Sequence, residues 1–179
     1  MRRLFAALLL AATLSGVSLL WSATAQAQQS PELTKEQENR ISVNCVSMKS
    51  TVTQLHATDA LLRVNRGQIY ESMASNLMER FNSRLGSNSL DNKAMLTVTG
   101  SYRSALTKFR TDYISYEQKL SQALRIDCVS QPAAFYSVLQ EARALRETVH
   151  EDVDRLHQLI DDYRTSVNGF FLNYERLSN

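Results

Sequence analysis

The sequence is poor in glycine and proline, the residues that most often make tight turns. Five glycines and two prolines occur in 179 residues. Sheet proteins need many such turns, whereas a few long helices need few of them. The scarcity therefore predicts an all-α fold.

Motifs that carry catalytic chemistry are also missing. The chain has no Gly-rich phosphate loop, no G-x-S-x-G elbow, no H-E-x-x-H helix and no Cys/His cluster with metal-ligand spacing. His56 is the only histidine before residue 150, and no evident nucleophile accompanies it. The sequence therefore predicts a protein that is not an enzyme and that has no cofactor.

An excess of basic charge is absent once the N-terminus is set aside. Arg2 and Arg3 are the only charged residues in the first 27, and eighteen basic residues then face eighteen acidic ones. A nucleic-acid partner would require a basic surface. The balance predicts that the protein does not bind nucleic acid.

The N-terminus has the order of a bacterial secretory signal peptide. Two arginines precede an apolar run at 4–20, and small residues follow in Ala25-Gln26-Ala27. We expect cleavage near Ala27, a flexible leader at 28–33 and an exported domain at 34–179, in the periplasm, at the cell surface or secreted. If the run is not removed, it becomes a retained membrane anchor, although it is short for a membrane span.

Three long segments of the exported part have the apolar periodicity of helices. The first begins with a capping box, since Thr34 stands three residues before Gln37. Its apolar residues recur in steps of three and four and then mainly in steps of four. The spacing predicts helices at about 34–85, 90–127 and 132–177.

Two breaks separate these helices and determine their expected arrangement. Gly86 is expected to take the left-handed conformation that closes a helix, and Pro132 suits the first turn of the last helix. Short connections join antiparallel neighbours. The prediction is an elongated, coiled-coil-like, up-down-up three-helix bundle.

The chain has two cysteines, and the expected hairpin brings them level. If the first hairpin folds back near Asn88, Cys128 lies opposite a position close to Cys45. Exported proteins meet oxidising conditions, in which such a pair forms a disulfide. We therefore predict a Cys45–Cys128 disulfide.

Charged residues interrupt the apolar stripe of the first helix and predict a polar seam. Asp59 and Arg66 occupy stripe positions, with Arg63 between them, and counting across the bundle places Arg146 near Asp59 and Asp152 near Arg66. Such a layer can fix the register of helices. The alternative is a groove that receives the charged group of a partner.

Two further features of the last helix are candidate sites. The four residues His150, Asp154, His157 and Asp161 share one helix face, which makes them a weak metal candidate, but two histidines two turns apart do not share one ion. Phe170, Phe171 and Tyr174 form an aromatic cluster expected near Met78 and Phe81. Packing explains most of this cluster, and the remainder is an apolar contact patch.

These features lead to three functional hypotheses. The first is a cell-envelope protein-binding or spacer module whose protein partner is unidentified and whose oligomeric state is unknown. The second is a periplasmic holdase-type chaperone with an apolar surface that opens. The third is a membrane-associated protein that uses the retained N-terminal anchor or the C-terminal aromatic residues.

Overall fold

The fold is built from long helices, and the computed structural model describes residues 33–178, with side chains to residue 176. The predicted signal peptide at 1–27, and the leader except for Leu33, lie outside the described residues. The elements are α1 (Lys35–Val43), α2 (Cys45–Ser72), a π-helix (Met73–Glu79), α3 (Arg80–Ser87), α4 (Lys93–Arg125) and α5 (Pro132–Ser178). Because the described residues contain no strand, the predicted all-α class is confirmed.

The first predicted helix is divided, so the prediction of three helices is met only in part. The capping box is present, with the Thr34 N–H donating to Gln37 Oε1 at 2.8 Å and the Gln37 N–H donating to Thr34 Oγ1 at 3.3 Å. The helix is then interrupted at Asn44, whose side-chain amide donates to the Arg40 carbonyl at 2.7 Å. Four elements thus replace the helix predicted at 34–85.

The π-helix explains why the apolar spacing drifts to steps of four. Each step of four turns an α-helical face by about 40° away from the core, because an α-helix has 3.6 residues per turn. The wider π-helical turn, with i to i+5 hydrogen bonds, compensates for this rotation. As a result, Tyr70, Ala74, Met78 and Asn82 are buried in succession.

This register differs by one residue from the one that the apolar pattern predicts. The pattern places Ile69, Leu77 and other apolar residues on the core face, but Ile69 is 56% exposed and Leu77 is 50% exposed. Tyr70 and Asn82 take the buried positions because their polar atoms find partners there. The Tyr163 hydroxyl donates to Asn82 Oδ1 at 2.9 Å, and Asn82 Nδ2 donates to Thr99 Oγ1 at 2.8 Å.

The turn before α5 agrees with the prediction, whereas the turn after α3 differs from it. Pro132 is the first residue of α5, as its missing N–H favours. At the other turn Gly86 remains helical, and Ser89 has the positive φ of 57°. The prediction of a left-handed Gly86 was wrong because α3 continues to Ser87 before the chain reverses.

The core lies between α4 and α5, which pack along each other far more than either packs on α2. Nine residues of α4 are buried, whereas only Cys45, Val52, Asp59 and Tyr70 are buried among the 28 residues of α2. The buried side chains form three clusters, one beside the disulfide, one in the middle and one around the π-helix. A smaller share of α2 than of α4 is therefore buried.

Candidate functional site

The disulfide anchors one end of α2 and is confirmed. Cys45 opens α2 and Cys128 lies in the turn before α5, with their Cα atoms 5.5 Å apart. Both cysteines are buried against Phe135 and Ala123. The bridge therefore holds the start of α2 on the α4–α5 pair.

Asp59, the first residue of the predicted polar seam, is a buried carboxylate with two partners. The Tyr116 hydroxyl donates to Asp59 Oδ2 at 2.7 Å, and Arg146 Nε donates to the same oxygen at 2.9 Å. Burial is the main cause of the raised pKa of Tyr116, and the hydrogen bond to Asp59 raises this pKa further. The hydrogen bond to Asp59 also raises the pKa of Arg146. The structure thus brings together α2, α4 and α5 at this carboxylate.

The second half of the predicted seam is not formed. Arg66 is exposed and makes no hydrogen bond or ion pair with any other described residue. Asp152 instead accepts a hydrogen bond from Lys108 Nζ at 2.7 Å, and the same Lys108 nitrogen donates to Asp112 at 2.6 Å. The pairing of Arg66 with Asp152 was wrong because Asp152 lies on the face of α5 that meets α4.

Asp152 is held in an environment that disfavours its charge. Burial raises its pKa, and its Oδ2 atom is buried without a hydrogen-bond partner among the described atoms. The hydrogen bond from Lys108 lowers the pKa of Asp112 beside it. This trio belongs to the packing of α4 on α5, away from the other seam residues.

The remaining seam residues surround a cleft of about 380 Å³ between α2, α4 and α5, which we name the central cleft. Its floor is mostly aromatic, and Leu62, Val149 and Val153 add apolar walls. The aromatic floor residues, all nearly fully buried, are Tyr70, Phe109, Tyr113 and Tyr116. The cleft opens where α2 lies away from α5.

Four arginines line the central cleft, two from α2 and two from α5: Arg63, Arg66, Arg143 and Arg146. Only two carboxylates, Asp59 and Glu147, also line it, so the lining is net positive. The guanidinium of Arg63 lies 5.1 Å from the centre of the Tyr113 ring, a cation–π geometry. Arg143 is exposed and, among the described residues, has no hydrogen-bond or ion-pair partner.

The outward face of α2 carries a second unusual feature, an apolar ridge formed by Ala57, Leu61 and Val64. These residues are spaced four and three apart, point roughly opposite to Asp59 on the helix, and are exposed, Leu61 by 67% and Val64 by 50%. We call this surface the outer ridge. Its spacing is that of the anchors by which one helix packs on another.

The predicted histidine–aspartate stripe is not brought together as a metal site. His150 Nδ1 lies 3.4 Å from Asp154 Oδ2, whereas His157 Nε2 shares a hydrogen bond with the Tyr70 hydroxyl at 3.1 Å. Asp161 lies 3.9 Å from Arg164. In the part of the chain that the structure describes, no group of three or more metal-ligating side chains is suitably placed.

The C-terminal aromatic residues divide between the core and the surface. Phe170 packs against the core cluster near the π-helix, while Phe171 is 49% exposed and Tyr174 is 51% exposed. The Phe171 ring lies 6.5 Å from that of Phe81, the neighbour that helix counting predicts. Between residues 33 and 178, no helix combines the length and apolarity needed to cross a membrane.

Only some of the residues that line the central cleft were predicted from the sequence. It named Arg63, Arg66 and Arg146 but missed Arg143, and it did not place an aromatic floor beneath them. A usable signal was present, because α2 and α5 each carry two arginines three residues apart and therefore on one helix face.

Comparisons of the chain with protein-family models, curated proteins and solved structures found no match.

Proposed function

We propose that this protein is a non-enzymatic, exported three-helix-bundle protein of the bacterial cell envelope that acts as a protein-binding module. The partner contributes an amphipathic helix, which packs on the outer ridge of α2. The observation that carries the proposal is the middle of α2, where Leu61 and Val64 are exposed on the face opposite to the buried Asp59.

The bundle is defined by treating α1, α2, the π-helix and α3 as one helical arm. These four elements follow one another without a reversal of the chain, and α4 and α5 supply the other two arms in up-down-up order. Ion pairs join the first arm to α4, including Arg103 with Glu79 and Arg110 with Glu71. A rigid scaffold of this kind suits a spacer as well as a binding module.

The burial pattern of α2 is the argument for a partner. A surface helix normally has one apolar stripe, which faces the core, so large apolar residues on its outer face are unusual. Between residues 55 and 69, α2 places Leu62 at the cleft wall and Leu61 and Val64 on the outside. Each fully buried Leu or Val side chain stabilises an interface by about 1.5–3 kcal/mol, so covering this ridge is favourable.

The test is site-specific photocrosslinking in the native envelope. With a photoreactive residue at position 61, we expect one discrete protein adduct that disappears when Val64 is changed to Asp. The introduced carboxylate would be desolvated without a partner in the interface, which is strongly unfavourable. The measurement is adduct yield, followed by identification of the attached protein.

The matched control uses Ser104, an exposed residue of α4, as the photoreactive position. Equal labelling from positions 61 and 104, or a position-61 adduct that survives Val64→Asp, would contradict the proposal and leave a spacer without a specific partner. If the adduct instead contains two copies of this chain, the outer ridge binds a second copy and not a different protein.

The two alternative functions receive less support. A holdase must cover extended apolar segments of its clients, whereas the central cleft has the volume of a small-ligand site and a charged rim. Membrane contact through the C-terminus rests on Phe171, Leu172 and Tyr174, each at least 49% exposed, without a basic cluster beside them. The retained anchor lies outside the described residues and is addressed by the export experiment below.

A further inference from the structure

We propose that the central cleft binds a small amphipathic carboxylate, with the apolar part on the aromatic floor and the carboxylate at the arginine rim. This site is distinct from the outer ridge, which faces the opposite side of α2. The inference goes beyond the proposed protein-binding function and does not depend on it.

The shape of the central cleft favours a narrow ligand. Its lining on α2 extends from Asp59 to Tyr70, which corresponds to roughly 16 Å along a helix. A volume of about 380 Å³ lies at the lower end of the range for small-molecule sites. A partner helix would need more room than this, so the cleft suits a medium-length apolar chain or a small ring system.

The charge of the lining favours an anion. Asp59 is already satisfied by Tyr116 and Arg146, so the unpaired positive charge comes mainly from Arg66 and Arg143. These two arginines project from facing helices, and guanidinium groups bind carboxylates through paired hydrogen bonds. Glu147 and His150 are the other titratable groups on the α5 wall, and Glu147 offsets only part of the charge.

The floor favours an apolar body attached to that anion. Tyr70, Phe109 and Tyr113 present ring surfaces, and the Tyr116 hydroxyl is occupied by Asp59. The Tyr70 hydroxyl shares a hydrogen bond with His157 Nε2 at 3.1 Å, so two of the three floor hydroxyls already have partners within the protein. A fully polar anion such as phosphate could form ion pairs with the arginines but would make no apolar contact with the aromatic rings.

The test is calorimetric titration of the purified full chain with decanoate and decyltrimethylammonium, each below its micelle concentration, and with decanol below its solubility limit. We expect decanoate to bind with one-to-one stoichiometry. Decanol should bind at least about tenfold more weakly, because it lacks the charge-assisted hydrogen bonds, and the cation should not bind.

Variants assign the binding to the central cleft. The double variant Arg66→Gln/Arg143→Gln should weaken decanoate binding by about tenfold or more, whereas Arg84→Gln, at an exposed arginine of α3, should leave it unchanged. Val153→Phe should fill the cleft and abolish binding of decanoate and decanol alike. Circular dichroism confirms that each variant is folded, and Val149→Phe replaces Val153→Phe if that variant does not fold.

Several results would overturn the proposal. They are the absence of decanoate binding, equal affinity for decanoate and decanol, or binding that the arginine and valine variants leave intact. Binding of an acidic, apolar peptide in place of decanoate would assign the cleft to a protein segment and also overturn it. Since Val64 does not line the central cleft, Val64→Asp should abolish the position-61 crosslink without changing decanoate affinity, which separates the two proposals.

Discussion

At the scale of single residues, Asp59 illustrates how one carboxylate can be accommodated inside a helical bundle. Its side chain would be costly to bury alone, but hydrogen bonds from Tyr116 and Arg146 satisfy one of its oxygens, and Arg146 approaches the other at 3.4 Å. Arg146 itself is about half exposed, so its ion pair is screened by water. The Tyr116 bond is the more deeply buried of the two.

We therefore expect Tyr116→Phe to destabilise the protein by about 2 kcal/mol, because it removes a buried hydrogen bond to a charged group. The phenyl ring retains the packing of tyrosine, so the loss reports the hydroxyl. Urea unfolding followed by circular dichroism measures the change in the free energy of unfolding.

The matched control is Tyr136→Phe, at a partly buried tyrosine whose hydroxyl has no hydrogen-bond partner in the described structure. This change should stay within about 0.5 kcal/mol of the parent protein. If both variants lose the same free energy, the Asp59–Tyr116 bond does not stabilise the bundle.

At the scale of elements, sequence periodicity predicts α4 and α5 well and the first arm less well. Predicted boundaries of 90–127 and 132–177 compare with Lys93–Arg125 and Pro132–Ser178. The π-helix was missed because apolar counting prefers Ile69 and Phe81 to Tyr70 and Asn82. Only the tertiary partners of the Tyr70 and Asn82 polar atoms make their burial favourable, and these partners come from α4 and α5.

The disulfide is the element-scale contact whose removal should have the largest effect. It closes a loop with a sequence separation of 83 residues. In the chain-entropy description, a loop of this size contributes about 4 kcal/mol by restricting the unfolded chain. We expect the Cys45→Ser/Cys128→Ser variant to unfold at a correspondingly lower urea concentration.

Hydrogen exchange adds a local measurement to this prediction. Because the bridge holds the start of α2 on α4 and α5, amides of α1 and early α2 should lose protection before those of α4. Reduction of the parent protein with dithiothreitol should reproduce the effect of the double variant. An unchanged urea midpoint in both cases would show that the bridge does not stabilise the fold.

At the scale of the whole molecule, helix counting predicted contacts at two separate points along the bundle. Helix counting brought Cys45 and Cys128 level, and it also placed Asp59 beside Arg146 at a second point along the bundle. The central cleft was not predictable in the same way, because periodicity assumes that all seams close equally. The lining of the cleft combines aromatic residues with arginines from α2 and α5, and a one-dimensional pattern does not show that these side chains surround a space.

The proposed export is the whole-molecule property that would determine both the compartment and the oxidation of the two cysteines. If 1–27 is a signal peptide, the protein recovered from the periplasmic fraction should begin at Gln28, as N-terminal sequencing will show. Ala27→Lys should block processing, because signal cleavage requires a small residue at that position, whereas Gln29→Lys should not.

A chain starting at Gln28 and kept in the cytosol should contain reduced Cys45 and Cys128, since cytosolic conditions disfavour disulfides. Recovery of an unprocessed, membrane-bound chain would instead support the retained anchor and place the bundle at the membrane surface.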